Sequence, residues 1–206
     1  PLNIINTKVQ LFLLKSQKGL AKEKSKEQVL QECEAILNET IEQTNRIADI
    51  TKKLANFAKP GKEIKPELVN IPEQIDETLA VLGHELELER ITTEKQISSD
   101  LPKIVADKRQ IQQILFNLIK NAGQAIEKTG KITIKAFSNA DKVQIEIIDT
   151  GEGISEDRMQ RIFEPFFTTK GRGGGTGLGL SIVRQLVWRN KGEISVKSES
   201  GEGTTF

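Results

Sequence analysis

Two different hydrophobic patterns divide the chain. From Lys26 to Lys59 there is no glycine or proline, and apolar or small residues recur at alternating steps of three and four, which is the heptad pattern of a long, packed helix. These positions are Leu30, Cys33, Leu37, Thr40, Thr44, Ile47, Thr51 and Leu54. A shorter apolar stripe upstream, followed by the polar stretch Ser16 to Lys26, predicts a second helix and a turn. We therefore expect the chain to begin with an antiparallel helical hairpin.

This hairpin carries more apolar surface than two helices can bury between them. A second series at seven-residue spacing widens the face of the long helix and comprises Val29, Ile36, Ile50 and Phe57. We expect two copies to form a homodimer as a four-helix bundle; the alternative is that the hairpin packs on the rest of its own chain. Lys59-Pro60-Gly61 ends the helix, because proline lacks an N–H donor and glycine relaxes the backbone. The predicted domains are residues 1–60 and 61–206.

Helical and strand patterns alternate after residue 61. Pro72 lies in the first turn of a helix whose apolar stripe is Ile71, Ile75, Leu79 and Leu82. Asp107 with Gln110 three residues later resembles a capping box and predicts a helix to about Lys128. The other predicted helices are Glu156–Phe167 and Leu178–Trp188, and the predicted strands are Ile91–Ser99, Lys131–Phe137, Val143–Asp149, Glu193–Lys197 and Thr204–Phe206. These elements predict an α+β fold, and the last strand suggests a clipped C-terminus.

Composition limits the classes of function. The chain has 206 residues, 36% of them hydrophobic, and a net charge of +1, which argues against disorder and against nucleic-acid binding through bulk charge. Its longest apolar run, Leu11 to Leu14, is far too short for a membrane-spanning helix. The single cysteine, Cys33, excludes an internal disulfide and indicates a reducing compartment. With His84 as the one histidine, the usual zinc sites and cysteine–histidine catalysis are disfavoured.

Three clusters of residues can carry chemistry. Asn117 and Asn121 lie one turn apart on a helix that is otherwise largely apolar; such a pair is often solvated surface. The segment Asp149–Ile154 places an aspartate at a strand end before two glycines, which alone indicates a turn. The segment Gly173–Leu180 is rich in glycine and leads into a helix, where backbone N–H groups can hold phosphates. It matches neither a P-loop nor a dinucleotide fingerprint, and alone could be a flexible loop.

In this order, the clusters resemble the ATP-binding domain of sensor histidine kinases. The N box of that family matches at 117–122, the first glycine box at 149–154, the F box at 162–167 and the second glycine box at 175–180. The helix ending Asn56-Phe57-Ala58-Lys59-Pro60 resembles the second helix of the family's dimerisation and phosphoacceptor hairpin. The resemblance implies an α/β sandwich, a mixed sheet with helices on one face, that holds ATP and Mg²⁺ beneath a lid.

The resemblance also implies a role for each matching residue. Asp149 would bind the adenine amino group, with Gly151 and Gly153 allowing close approach. Asn121 would offer its side-chain oxygen to Mg²⁺, and Asn117 would support the phosphates and metal. Residues 163–175 would form the lid, with Lys170 as a cation for the phosphates and Phe166 and Phe167 as anchors packed into the domain. The residues expected to close over the phosphates are Thr176, Gly177, Leu178, Gly179 and Leu180.

The expected reaction is phosphoryl transfer. Related ATPases such as gyrase and Hsp90 carry a glutamate where Asn117 stands, and an amide cannot take a proton from water. We therefore expect the γ-phosphoryl group to pass to a histidine, and then to an aspartate on the receiver domain of a response regulator, in the cytoplasm. The alternatives are an ATPase of the gyrase type, a serine-directed anti-sigma kinase, or a nucleotide-binding docking module without kinase activity.

The phosphoacceptor does not match inside the chain. The family's H box would place its histidine five residues before Pro1. His84 fails the pattern, because Leu88 and Glu89 stand where Asn or Thr and Pro are required, and we expect a partly exposed helical histidine instead. Gln124 also departs from the family, since many of its kinases have lysine there.

Overall fold

The protein consists of two compact units. A computed structural model describes residues 2–17, 26–58, 65–169 and 175–206, and its contacts divide the chain into Pro1–Pro60 and Gly61–Phe206. The first unit contains helices α1 (Leu2–Gln17) and α2 (Lys26–Ala58). These helices contact each other, and Lys8 of α1 forms an ion pair with Glu39 of α2. The long helix predicted from the heptad pattern is thus present.

The helical unit leaves much of its apolar surface open. Its exposed large apolar side chains are Val9, Leu11, Leu13, Leu14, Leu30, Leu37 and Ile41. The hydroxyls of Thr40, Thr44 and Thr51 donate to the carbonyl four residues earlier in α2, so the seam of α2 can include threonine without an outside partner. None of the helices in the described part of the chain has the length and apolar composition that a membrane span requires.

The second unit is built on a five-stranded mixed sheet. Its elements are β1 (Glu67–Val69), α3 (Ile71–Leu88), β2 (Ile91–Ile97), β3 (Ile104–Ala106), α4 (Lys108–Ala125), β4 (Gly130–Asn139), β5 (Lys142–Asp149), α5 (Glu156–Met159), α6 (Gly179–Arg189), β6 (Lys197–Glu199) and β7 (Gly203–Thr205). The strand order is β2-β4-β5-β7-β6, and only β2 and β4 are parallel. A parallel pair needs a crossover, which β3 and α4 supply. Strands β1 and β3 form a separate antiparallel pair.

The core lies between the sheet and its helices. Alternate residues of β4 and β5 are buried, namely Ile132, Ile134, Ala136 and Ile147. They face the apolar sides of α3 and α4, which include Ile71, Ile75, Leu82, Leu115 and Ile119. Helix α6 packs along α4. This arrangement confirms the predicted α+β fold, a mixed sheet with helices on one face.

The far end of α6 is tied to the beginning of α4 through Asn190. The Asn190 side-chain oxygen accepts from the backbone N–H of Asp107 at 3.0 Å, and its nitrogen donates to Gln110 Oε1 at 2.9 Å. Asp107 is itself the N-cap of α4, accepting from the N–H groups of Arg109 and Gln110. The predicted N-cap at Asp107 is thus confirmed. The capping box is not completed, because the Asp107 N–H and the Gln110 side chain both bond Asn190, whose amide joins the two helices.

Three predicted boundaries were wrong, each because a tertiary contact or a proline decides the end of an element. Helix α4 stops at Ala125, whose carbonyl accepts the N–H of Glu152 at 3.0 Å. Helix α5 ends at Met159 rather than Phe167, since the chain continues in turns toward Pro165, which has no N–H to donate.

The predicted strand Glu193–Lys197 is also displaced. Residues 193–196 are not in a strand; β6 begins at Lys197, because its only partner in the described sheet, β7, pairs with Lys197–Glu199. Ile194 packs against the core without a ladder of its own. Strands β1 and β3 were not predicted, since three residues are too few to show the alternation of apolar and polar positions that indicates a strand. His84 is exposed on α3, as predicted.

Candidate active site

Asp149 ends the central strand β5 and is almost fully buried, with 4% of its surface exposed. Its Oδ1 accepts the backbone N–H groups of Gly151 at 2.9 Å and Thr204 at 3.2 Å. Both bonds go to one oxygen, so within the described residues Oδ2 is left to accept from a ligand. Burial raises the pKa of the Asp149 carboxyl, although the two backbone hydrogen bonds act in the opposite direction.

The loop after Asp149 is held tightly on two sides. A Cβ on Gly151 would lie 2.5 Å from the carbonyl oxygen of Ala125, and one on Gly153 would lie 2.0 Å from that of Glu199. Gly153 also has a φ of +67°, a conformation that side chains disfavour. The N–H of Gly201 donates to the Glu152 carbonyl at 2.8 Å. The first glycine box is therefore clamped between the end of α4 and the hairpin of β6 and β7.

Asp149 belongs to a row of three polar residues across the sheet. Asp149 on β5 pairs with Thr204 on β7, and Thr204 pairs with Ser198 on β6. Directly opposed residues of antiparallel strands point to the same face. Sequence reasoning missed Thr204 and Ser198, because their place beside Asp149 depends on pairing between strands far apart in the chain. Residues 204–206 were predicted as a strand, but the sequence pattern does not indicate that this strand pairs with β5 and β6.

A second group of residues lies where α4 meets the beginning of α6. A Cβ on Gly179 would be 3.7 Å from both amide atoms of Asn121 and 3.8 Å from Asn117 Oδ1. The Asn117 nitrogen donates to the carbonyl of Gln113 at 2.8 Å, which turns its oxygen outward. Asn121 makes no hydrogen bond within the described residues. The structure thus brings together the N box and the second glycine box.

Helix α6 begins at Gly179 without a side-chain cap, because the side chain of the N-cap residue, Leu178, has no polar atom. The N–H groups of the first turn and the positive end of the helix dipole are therefore available to an anion beside the two asparagines. The Leu178 side chain is fully buried against Ile182 and Leu186, and Leu180 packs on the main core. Any contact of Leu178 with a ligand would be through its backbone.

The F box contacts the second glycine box through the backbone. The N–H of Phe166 donates to the carbonyl of Gly177 at 2.8 Å, and Gly177 has a φ of +65° that leaves no room for a Cβ against Phe166. Thr176 is half-buried beside this contact. The prediction that Phe166 packs into the domain was wrong, since its side chain is 60% exposed. Its φ of +68° directs the backbone rather than the ring toward Gly177.

Phe163 is the aromatic anchor of the F box. Its ring makes an edge-to-face contact with Phe206, with the ring centres 6.4 Å apart, and the Arg184 guanidinium lies 5.6 Å from its centre. Phe167 is half-buried under Arg161. Lys170 and its neighbours 171–174 lie outside the described residues, so the predicted phosphate contact of Lys170 remains a prediction.

Residues 106–206 match the family described as histidine kinase-, DNA gyrase B- and HSP90-like ATPase. The catalytic domain of the histidine kinase ThkA superposes with a TM-score of 0.63 at 33% identity, over 69% of this chain and 92% of that catalytic-domain chain. The chain belongs to the histidine kinase family. This match covers the unit that holds Asp149 and the asparagine pair.

Two further histidine kinases extend the comparison. The sensor histidine kinase ZraS of Escherichia coli strain K12 is 34% identical over 164 residues, covering 80% of this chain and 35% of ZraS. Full-length ShkA, solved in complex with AMPPNP, superposes with a TM-score of 0.72 at 27% identity over 85% of this chain and 38% of ShkA. The chain spans about a third or less of the length of the first curated relatives it matches.

Proposed function

We propose that the chain is the catalytic portion of a sensor histidine kinase, which binds ATP and transfers its γ-phosphoryl group to a histidine. The observation that carries this proposal is the pairing of two sites on one domain. A buried carboxylate, Asp149, offers Oδ2 to a base, and Asn117 and Asn121 face the uncapped start of α6, which suits phosphates. ShkA, a relative of this fold, was solved with an ATP analogue.

Mg²⁺ fits the site through Asn121. The described residues contain no group of three or more His, Cys, Asp or Glu side chains that could hold a metal ion. Mg²⁺ does not need such a group, because it keeps several waters and binds through phosphate oxygens and one or two protein oxygens. The Asn121 amide, which lies against Gly179 with no hydrogen bond in the described residues, would supply that oxygen. The ion would neutralise phosphate charge when bound.

Asn117 favours transfer over hydrolysis. Its nitrogen is held by the Gln113 carbonyl, and its outward oxygen can accept a hydrogen bond but cannot remove a proton from water. A neutral imidazole attacks through a lone pair and needs no prior deprotonation, so a site without a general base suits a histidine acceptor. The same observation argues against the ATPase alternative.

The helical unit would supply dimerisation and the acceptor. The exposed apolar side chains in its described part would give a second copy a surface to bury, forming the four-helix bundle. The acceptor histidine would lie upstream of Pro1, and the phosphoryl group would pass from it to a receiver-domain aspartate of a response regulator. The relatives are named as sensor kinases, which supports this relay and a cytoplasmic position for this segment.

The decisive experiment is phosphotransfer in trans. The chain is mixed with Mg-ATP labelled at the γ-phosphate and with a hairpin, residues 1–60 extended upstream through the expected histidine. We expect an acid-labile, base-stable label on the hairpin, lost when that histidine is replaced by glutamine. Rapid ATP turnover without the hairpin would instead favour an ATPase, and nucleotide binding without transfer would favour a docking module.

A substitution at Asn117 sharpens the distinction between the two reactions. Asn117→Glu places a general base beside the phosphate site, so ATP hydrolysis should rise above the wild-type rate while transfer to the hairpin does not improve. Asn117→Gln, which keeps the amide, is the matched control and should not raise hydrolysis. Equal hydrolysis by the two variants would contradict the role given to Asn117.

A further inference from the structure

The hydroxyl of Ser198 connects β6, where it lies, with the first glycine box and with β7. It accepts the backbone N–H of Ile154 at 2.8 Å, donates to the Gly203 carbonyl at 2.8 Å and lies 2.9 Å from the Thr204 hydroxyl. Ile154 closes the first glycine box, and Thr204 is the neighbour of Asp149 on β7. A single half-buried side chain thus links the loop and the strand that surround Asp149.

The direction of the bond between Ser198 and Thr204 follows from counting protons. A serine hydroxyl has one proton and two lone pairs. The Gly203 carbonyl can only accept, so the Ser198 proton goes to it, and one lone pair of Ser198 takes the Ile154 N–H. The remaining lone pair faces Thr204, whose hydroxyl must then be the donor. The proton of Thr204 therefore points to Ser198, away from Asp149.

With this orientation, both side chains at the base end of the site act as hydrogen-bond acceptors. Thr204 lies directly opposite Asp149, with cross-strand Cβ atoms typically about 5 Å apart, so a base bound to Asp149 Oδ2 would also lie within reach of the Thr204 side chain. Asp149 Oδ2 is an acceptor, and the Thr204 hydroxyl presents only lone pairs. Such an edge suits an exocyclic amino group, which has two N–H donors, and opposes a carbonyl oxygen.

We propose that Ser198 is a positioning residue for base selection: by fixing the Thr204 hydroxyl as an acceptor, it makes the site prefer 6-amino over 6-oxo purine nucleotides. The proposal rests on the nucleotide binding proposed above. Without Ser198, the Thr204 proton is free to rotate toward the base and donate to a 6-oxo group. The selectivity should then fall even where the carboxylate of Asp149 is unchanged.

The test compares ADP with IDP, which differ at the 6-position of the purine and share their phosphates. Affinities of both are measured with Mg²⁺ for the wild type, Ser198→Ala and Ser198→Thr, with Ser200→Ala in the exposed turn as the control. The wild type should prefer ADP. Ser198→Ala should lower the ratio of the IDP to the ADP dissociation constant by about tenfold, a size typical of one misplaced hydrogen bond in a buried site. Ser198→Thr, which keeps the hydroxyl, should restore the ratio.

A double substitution separates base selection from a purely structural role. If Ser198 acts through the Thr204 hydroxyl, then adding Ser198→Ala to Thr204→Val leaves the selectivity ratio of the Thr204→Val variant unchanged. A structural role for Ser198 predicts that both nucleotides weaken alike in Ser198→Ala, with the ratio intact, and this result would overturn the proposal. If the wild type binds neither nucleotide, the proposed function itself fails.

Discussion

The two glycine boxes of the catalytic unit are held in different ways. The first box, residues 149–154, is fixed on both sides by hydrogen bonds. Its backbone bonds reach α4 and the turn between β6 and β7, and bonds through the side chains of Ser198 and Asp149 reach β6 and β7. The second box, residues 175–180, is anchored by its buried Leu178 and by a backbone hydrogen bond between Phe166 and Gly177. The proposed base end of the site is therefore built on the sheet, and the proposed phosphate end on the beginning of one helix.

This difference matches what each end has to recognise. A base is identified by the positions of a few donors and acceptors, which requires a rigid edge such as Asp149 within its row. Phosphates are recognised through charge and N–H groups that tolerate small displacements. The more tightly held end of the site is thus the one that would discriminate between bases, and substitutions can test the two ends separately.

The largest effect is expected at Asp149. Asp149→Asn keeps an oxygen for the N–H groups of Gly151 and Thr204 and replaces Oδ2 with a donor. We expect ADP affinity to fall by about 100-fold or more, since the new NH₂ faces the amino group of the base. Calorimetric titration measures this loss, and Asp141→Asn in the exposed turn between β4 and β5 should leave affinity unchanged.

The same variant should not lose stability. Burial raises the pKa of Asp149, so the folded chain binds this proton more tightly than the unfolded chain does. The contribution of Asp149 to the free energy of unfolding is therefore greatest at low pH and declines as pH rises through the raised pKa. At pH 7 the asparagine removes a buried charge, and the melting temperature should be equal or higher. A clear drop would contradict this account of the carboxylate.

Alanine at matched glycines compares the two boxes directly. Gly153 and Gly177 have nearly equal positive φ values, and a Cβ on either would overlap backbone. At Gly153 the overlap is with Glu199, within the clamped hairpin, so we expect Gly153→Ala to cost about 2 to 3 kcal/mol of stability. At Gly177 the neighbour is Phe166, whose exposed side chain leaves that segment room to shift.

We therefore expect Gly177→Ala to lower nucleotide affinity about tenfold with a loss of stability near 1 kcal/mol. Urea unfolding and ADP titration of both variants provide the comparison. Equal losses of stability at the two positions would mean that the second box is held as firmly as the first.

The smallest effect is expected from pH. As pH falls through the raised pKa of Asp149, its carboxyl gains a proton and Oδ2 stops accepting from an amino group. The preference for ADP over IDP should therefore narrow by several-fold in acid. The ratio of the two affinities is the useful measurement, because phosphate protonation affects both nucleotides equally. A ratio that stays constant as Asp149 titrates would argue against its contact with the base.

The sequence was enough to select most residues of the proposed site, because these residues lie close together along the chain. Asn117 and Asn121 are one helical turn apart, and Asp149 and its glycines are consecutive, so a pattern along the chain is enough to find them. Ser198 and Thr204 belong to the same site, but their position depends on which strands pair, and local periodicity does not encode this. The buried state of Leu178 was likewise set by α4, through Ile114, rather than by its own motif.

For the fold, too, features that depend on local neighbours were predicted, and features that depend on distant partners were not. The stripe of α3 and the cap at Asp107 depend on neighbours within a turn, and both were predicted. The end of α4 and the start of β6 depend on the distant partners Glu152 and β7, and both were displaced. Phe166 was misplaced because a positive φ at a non-glycine residue has no signature in the sequence.

The hydrogen bond between Asn190 and Asp107 fixes one end of α6 and so provides a point about which the helix can tilt. This helix of 11 residues is fixed at its far end, while its near end faces Asn117 and Asn121. At 1.5 Å per residue it is a lever about 16 Å long, so a tilt of about 5° around Asn190 would carry Gly179 through about 1.4 Å. A rotation at Asn190, remote from the proposed phosphate end, would thus change the distance between Gly179 and the asparagine pair, provided that the buried Leu178 moves with the helix.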